Sequence, residues 1–193
     1  MTTNTRPGTP LLAPMRAEAR ALRRGAGGRL LVLRTGTGPW RAARAAARLT
    51  GRTVAVVGIG GGLATQLRTG DVVVADQVRG EGRPVDVPGA ELVAAALREA
   101  RLTVHIGPVA SVRRLVTGAR REALAGTGAL AADTESYWLV TGTVPMAVIR
   151  VVADGAGSAL YSPTTLLRVR AALRALPAVA AMLADSVLLE GVR

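Results

Sequence analysis

Apolar residues fall in short continuous runs, separated by amphipathic stretches and by turns rich in glycine or proline. A continuous run between turn residues is the pattern of a strand buried on both faces; recurrence every three or four residues is that of a helix with one buried side. Leu11–Leu12 and Arg29–Arg34 are therefore expected as short strands, the second followed by a glycine-rich turn and an alanine-rich helix from about Trp40 to Leu49. Thr53–Val57 is expected as a buried strand ending at the glycine turn Gly58–Gly62, and Asp71–Val74 as a strand opened by Gly70. The periodicity predicts a helix over Glu91–Ala100, a strand over Thr103–Val109 and a helix over Thr117–Ala125. Ala129–Ala132 leads into a helix near Glu135–Val140, and the apolar strand Met146–Val152 stops at Asp154. A last amphipathic helix, or a pair broken at Pro177, covers roughly 163–189.

Apolar strands alternating with helices predict an α/β fold with a mostly parallel sheet covered on both faces. At 193 residues the chain reads as one domain over 11–193, preceded by a flexible polar tail over 1–10. Sheets of this kind bind ligands at the carboxyl ends of their strands, so chemistry is sought there.

Composition narrows the field. Aromatics make up 2% with no Phe, so aliphatic side chains must fill the core. Cysteine is absent, which excludes disulfides and thiolate metal sites, and His105 is the single histidine, which excludes mechanisms needing two imidazoles. The net charge is +12 and all 25 basic residues are arginine. They are scattered, and the aromatics that stack on single-stranded bases are nearly missing, so nucleic acid is not the expected partner. The start of the chain lacks the pattern of a signal peptide, and no apolar stretch approaches the roughly 20 residues that span a bilayer; a cytoplasmic protein is expected.

Five strand ends carry candidate chemistry. The first, Ala13-Pro14-Met15-Arg16-Ala17-Glu18, offers a carboxylate and an anion clamp, or an ordinary helix first turn. The second, Arg34-Thr35-Gly36-Thr37-Gly38-Pro39, offers N–H groups and hydroxyls to an anion or a ribose, without the lysine of a nucleoside-triphosphate loop. The third, Gly58-Ile59-Gly60-Gly61-Gly62, is followed too soon by Gly70-Asp71 to leave room for the long helix of a dinucleotide site, but four glycines in five residues indicate close backbone approach. The fourth, Asp133-Thr134-Glu135-Ser136, places two carboxylates near a buried strand end; Glu135 suits the two hydroxyls of a ribose, and Asp133 or Thr134 suits a helix cap. The fifth is Arg150-Val151-Val152-Ala153-Asp154-Gly155. Asp154 is placed for general-acid work with a pKa raised by burial, and the inward Arg150 needs an anionic partner, for which Glu135 is the obvious choice.

Taken in order, P-M-R-x-E, T-G-T-G-P, the glycine turn before L-x-x-x-L-x-x-G-D-V-V-V, D-x-E-S and R-V-V-x-D resemble the nucleoside phosphorylase and purine nucleosidase superfamily, over most of the chain from about Leu11 to the last helix. The stretches Thr103–Pro108 and Gly128–Ser136 look most like its hopanoid-biosynthesis branch, whose members cleave adenine from adenosylhopane.

The resemblance implies a three-layer α/β/α fold with a central mixed sheet, and cleavage of the N-glycosidic bond of a 5′-substituted adenine nucleoside. It implies that Asp154 protonates purine N7, that Glu135 binds the ribose, and that Glu18 positions or deprotonates an attacking water. Thr134, Arg150, Ile59, Gly60, Gly61 and Leu115 are implied around the substrate; Arg16, Thr35, Gly36 and Thr37 form a nucleophile or phosphate pocket. No metal or redox cofactor is implied, and inorganic phosphate only for a phosphorylase. The implied partners are a small nucleoside and further copies of the chain, without stable membrane insertion.

The chain departs from the pattern at three points. Thr134 stands where methionine is usual, Ala153 stands where serine is usual before the acid, and the stacking Phe is absent, leaving that face to Leu115, Tyr137, Trp138 or Tyr161. Residues Arg79–Gly89 look like a trimmed substrate loop. Glu18 favours hydrolysis and Arg16 favours phosphorolysis. The apolar run Ala55–Val57, where the hexameric phosphorylases place a second arginine, tips the reading to hydrolysis. A phosphate-dependent phosphorylase and a non-catalytic ligand-binding relative stand as alternatives.

Overall fold

The computed structural model describes residues 8–155 and 164–185. In chain order the elements are β1 (Leu11–Ala13), α1 (Arg16–Ala26), β2 (Val32–Arg34), α2 (Pro39–Ala47), β3 (Thr53–Gly62), β4 (Val72–Val74), β5 (Gln77–Arg79) and β6 (Val85–Asp86). They continue with α3 (Ala90–Glu99), β7 (Val104–Ile106), β8 (Val109–Ser111), α4 (Gly118–Ala125), β9 (Ala131–Asp133), α5 (Ser136–Val140), β10 (Val144–Asp154) and α6 (Thr165–Asp185).

The ten strands form one mixed sheet of order β6-β5-β8-β9-β3-β10-β4-β7, with β1 against β3 and β2 beyond it. Most pairings are parallel; β10–β4, β3–β9 and β5–β6 are antiparallel. Strand β3 organises the sheet. One of its edges follows β10 along nearly its whole length, while the other pairs β1 at Ala55 and Val56 and then β9 at Gly61 and Gly62.

Alternation along the central strands divides the interior into two cores. Ala55, Val57, Ala147, Ile149 and Val151 face α1, α3 and α6. Val54, Val56, Val148 and Val152 face α2 and α5. Side chains of a strand point to opposite faces in turn, so strands apolar at every position need helices on both sides, and a three-layer α/β/α arrangement results.

Four expectations are corrected. The glycines Gly58–Gly62 do not form a turn; they continue β3, since edges remain for them to pair with. Thr103–Val109 is not one strand. Gly107 and Pro108 break it, a proline having no N–H for the ladder, and its halves lie in separate parts of the sheet. Pro177 does not interrupt α6: Ala172, Leu176, Val179, Ala180 and Leu183 are buried on both sides of it, and that packing outweighs the lost hydrogen bond. Pro10, expected in the tail, is buried, and its carbonyl accepts from the Ala55 N–H. Residues 79–89 form the β5–β6 hairpin and the approach to α3. No described helix is long and apolar enough to cross a membrane.

Candidate functional site

One cavity of about 350 Å³ opens at the carboxyl ends of β1, β3 and β10, walled on the far side by the β9–α5 turn and the start of α6. Glu18, Glu135 and Asp154 all line it, together with Met15, Thr37, Ile59, Gly60, Gly61, Leu115 and Thr134. No arginine side chain lines it among the described residues.

Glu18 comes from the first turn of α1 and is fully buried. Its carboxylate accepts from the Met15 N–H at 2.6 Å and the Ile59 N–H at 2.8 Å. The first bond caps the helix and the second ties α1 to β3, so the helix-turn and site readings of this residue hold together. Burial pushes Glu18 above the usual carboxylate range, against the opposing pull of the Arg150 charge and of the two N–H groups. Gly58 makes room: a Cβ there would sit 2.6 Å from Glu18 Oε1 and 2.7 Å from Arg150 Nη1.

Glu135 stands at the N-cap position of α5. Its Oε1 accepts the Gly38 N–H at 2.8 Å and the Thr134 hydroxyl. Gly38 is the N-cap of α2, with φ of 86°, a left-handed conformation that suits glycine. The Thr/Gly turn does present an N–H to an anion, but the anion is the protein's own Glu135. The positive end of the α2 dipole favours that carboxylate.

Beneath the cavity lies a buried ionic network in which Arg150 Nη1 alone is left without a hydrogen-bond partner. Arg150, wholly buried, does not bind Glu135. Its Nε donates to Asp133 Oδ2 at 2.6 Å and its Nη2 to Ser136 Oγ at 2.8 Å. Asp133 also accepts from Ser111 Oγ, Ser136 Oγ and the N–H groups of Glu135 and Ser136, and so caps α5. Burial by itself would raise Asp133; the Arg150 charge and the Ser111, Ser136 and Arg150 hydrogen bonds outweigh it and hold the carboxyl below its usual range. Arg150 therefore orders the floor rather than lining the cavity, because β10 points it between the sheet and α5. The nearer carboxylate, two residues before Glu135, takes it.

Asp154, at the end of β10, is buried but not isolated. Arg121 Nη1 donates to its Oδ2 at 2.5 Å. The environment is thus an ion pair rather than the uncompensated burial expected from sequence.

Arg16 is exposed and faces another groove, with Arg20, Arg23, Arg24 and Arg34. Thr35 and Gly36 stay behind the cavity, their N–H groups bound to the carbonyls of Ala13 and Pro14. Of the residues expected to stack on a base, Leu115 stands 71% exposed at the cavity, Tyr137 is buried in the α2–α5 core, and Tyr161 lies outside the described residues. His105 contacts Asp71. Sequence reasoning missed Arg121 and Ser111, for which no local signal exists; it included Gly38 and Ser136 in their motifs without assigning their bonds to Glu135, Asp133 and Arg150.

A mixed, mostly parallel sheet between helical layers, with an acidic cavity at the ends of its strands, defines a three-layer α/β/α fold. A model of the phosphorylase superfamily matches residues 4–188, and the chain belongs to that superfamily. No curated protein matches it. Among solved structures it is similar to a Helicobacter pylori MTAN mutant with 5′-methylthioadenosine in the active site, at 14% identity and a TM-score of 0.75, covering 92% of this chain and 98% of that one. It is also similar to the 5′-methylthioadenosine/S-adenosylhomocysteine nucleosidase of Neisseria meningitidis in complex with methylthio-immucillin-A, at 20% identity and a TM-score of 0.72, covering 92% and 99%. The native futalosine hydrolase of Helicobacter pylori matches at 15% identity and a TM-score of 0.72, covering 91% and 94%. These likenesses establish the fold.

Proposed function

We propose that this protein hydrolyses the N-glycosidic bond of a purine nucleoside. The observation that carries the reading is the convergence of Glu18, Glu135 and Asp154, from three separate segments, on one otherwise largely apolar cavity. Membership of the phosphorylase superfamily and the nucleosidases among similar folds support it.

In this reading Asp154, ion-paired with Arg121 in the free protein, takes a proton from solvent as the nucleoside binds; the C1′–N9 bond then breaks with its electron pair passing into the purine, and N7 takes that proton. General-acid assistance of this kind is worth about 10²–10⁴-fold in rate. Glu135, held by Gly38 and Thr134, accepts the ribose hydroxyls and offsets positive charge on the sugar. Water forms the new C1′–O bond and loses a proton to Glu18, which burial makes a stronger base than a free carboxylate. The products are the free base and the sugar hemiacetal; Glu18 then gives its proton to solvent, which balances the one that Asp154 took up.

Hydrolysis is favoured over phosphorolysis because the cavity has no arginine in its lining and Arg16 faces elsewhere. The test is base release with and without inorganic phosphate from adenosine, methylthioadenosine, adenosylhomocysteine and an adenosylhopane mimic. The last answers the expectation, from resemblance alone, of a hopanoid substrate. Free sugar formed without phosphate is the expected result. Strict dependence on phosphate, with sugar 1-phosphate as product, would reverse the choice. No release from any nucleoside, with purine binding intact, would instead leave a ligand-binding protein.

A further inference from the structure

We propose that the arginine groove along α1 binds a linear phosphate chain of the inorganic oligophosphate class. The groove is separate from the cavity, and the proposal is independent of the hydrolase reading.

Folding gathers five arginines on one surface. Arg16, Arg20, Arg23 and Arg24 of α1 and Arg34 at the end of β2 line an open groove of about 570 Å³, with Ala19 as its floor. All five are exposed. Helix positions three and four apart share a face, which makes the row, while Glu18 and Leu22 turn the far side of the helix inward. Met15 lines the cavity and Arg16 the groove, so the two sites meet at the start of α1 but share no lining residue.

Arg29, Arg113, Arg121 and Arg150 each reach a carboxylate. Among the described residues none of the five groove arginines does so; Arg23 donates from Nη2 to the Val32 carbonyl at 2.9 Å. The row works against the helix that carries it. Like charges one turn apart repel, as at Arg16 and Arg20 and again at Arg20 and Arg24. Basic residues in the last turn, such as Arg23 and Arg24, suit the dipole. Arg16 stands in the first turn, where the positive end of the dipole disfavours a cation. An anion in the groove relieves both conflicts.

The lining says which anion. Apart from Ala19 it is all guanidinium, with no ring to stack on a base and no broad apolar face for an acyl chain. Guanidinium forks pair with phosphate oxygens in bidentate fashion. Arg16 and Arg24 are eight residues apart, about 12 Å along the axis, so one phosphate leaves part of the row unused and a chain of phosphates engages all of it. A concave surface fits such a chain and not the flat face of a bilayer.

The test is calorimetric titration of the full-length protein with sodium tripolyphosphate and with orthophosphate, at about 0.15 M salt so that long-range attraction is screened. Tripolyphosphate is expected to bind about tenfold or more tightly than orthophosphate and to raise the melting temperature. Arg20→Gln with Arg24→Gln should weaken it about tenfold, while Arg48→Gln with Arg52→Gln, the same loss of charge away from the groove, should change it by less than about twofold. The groove variant is expected to melt no lower than wild type, since like charges are removed, so lost binding is not lost fold. Absence of tripolyphosphate binding would overturn the proposal. So would equal weakening by both variants, which reduces the effect to net charge. An oligothymidylate of equal charge, or vesicles containing anionic phospholipid, bound in preference to tripolyphosphate and lost in the groove variant, would also overturn it and reassign the groove to nucleic acid or to a membrane.

Discussion

Two aspartate–arginine pairs lie within one site, and they differ in what else surrounds them. Asp133 lines the cavity above the wholly buried Arg150, but its carboxylate collects donors from Ser111, Glu135, Ser136 and Arg150, so both oxygens are already engaged. Asp154 is also buried and lines the cavity, with one carboxylate oxygen held by Arg121, which lines only a small annex beside it. The first pair fixes the β9–α5 turn and, through it, Glu135. The second stands where a substrate would meet it. The two aspartates line the same cavity and are equally buried, so what separates them is how many donors each already holds.

Substitutions should separate the pairs. The largest effect is expected at Asp154. Asp154→Asn should lower kcat/KM by about 10²–10⁴-fold and cost less stability than the same change at Asp133, because Arg121 keeps its three backbone carbonyls; base release beside a melting curve measures both. Asp133→Asn should do the opposite in kind, costing about 3–5 kcal/mol of folding stability because Arg150 is left buried and uncompensated; denaturant titration measures this. A larger stability loss in the Asp154 variant than in the Asp133 variant, or full stability of the latter, would dissolve the contrast.

Stability against pH sharpens it further. Asp133 is held below its unfolded value near 3.8, so its contribution is complete above that pH and is lost as pH falls through the still lower folded value. Glu18 behaves in reverse. Its folded pKa lies above 4.5, so the ionised form weighs against folding, and stability declines as pH rises through the folded value. Melting temperature measured from acid to neutral pH should show both limbs, and Asp133→Asn should remove the acid one. Activity should rise with pH through the Glu18 value, as a base must be ionised to act.

Smaller effects are expected at the margins. Gly58→Ala forces a methyl between Glu18 and Arg150 and should cost about 1–3 kcal/mol together with much of the activity. Leu115→Ala, at an exposed position on the cavity, should change stability by no more than about 0.5 kcal/mol and show its effect in KM alone.

Much of the site was legible because it sits at strand ends, where an α/β sheet concentrates its chemistry. Glu18, Glu135, Thr134, Ile59, Gly60, Gly61, Leu115, Thr37 and Asp154 all line the cavity. Arg16 was misplaced, since one helical position separates the buried face of α1 from its exposed face, and neighbours in sequence diverge by about 100° around a helix. The partner of Arg150 was misassigned because the sequence presents two carboxylates within three residues and does not say which of them turns inward.

The alternation of apolar runs and amphipathic stretches determined the layers, since a strand apolar on both sides must be covered on both sides. Hydrophobic periodicity is local, and a single chain carries it in full. The continuation of β3 through its glycines, the uninterrupted α6 and the pairing of Arg121 with Asp154 were decided by tertiary structure. Each depends on which distant segment arrives alongside. Strand edges, packing faces and ion-pair partners are supplied by residues 33 or more positions away in the case of Arg121, and no local pattern encodes that distance.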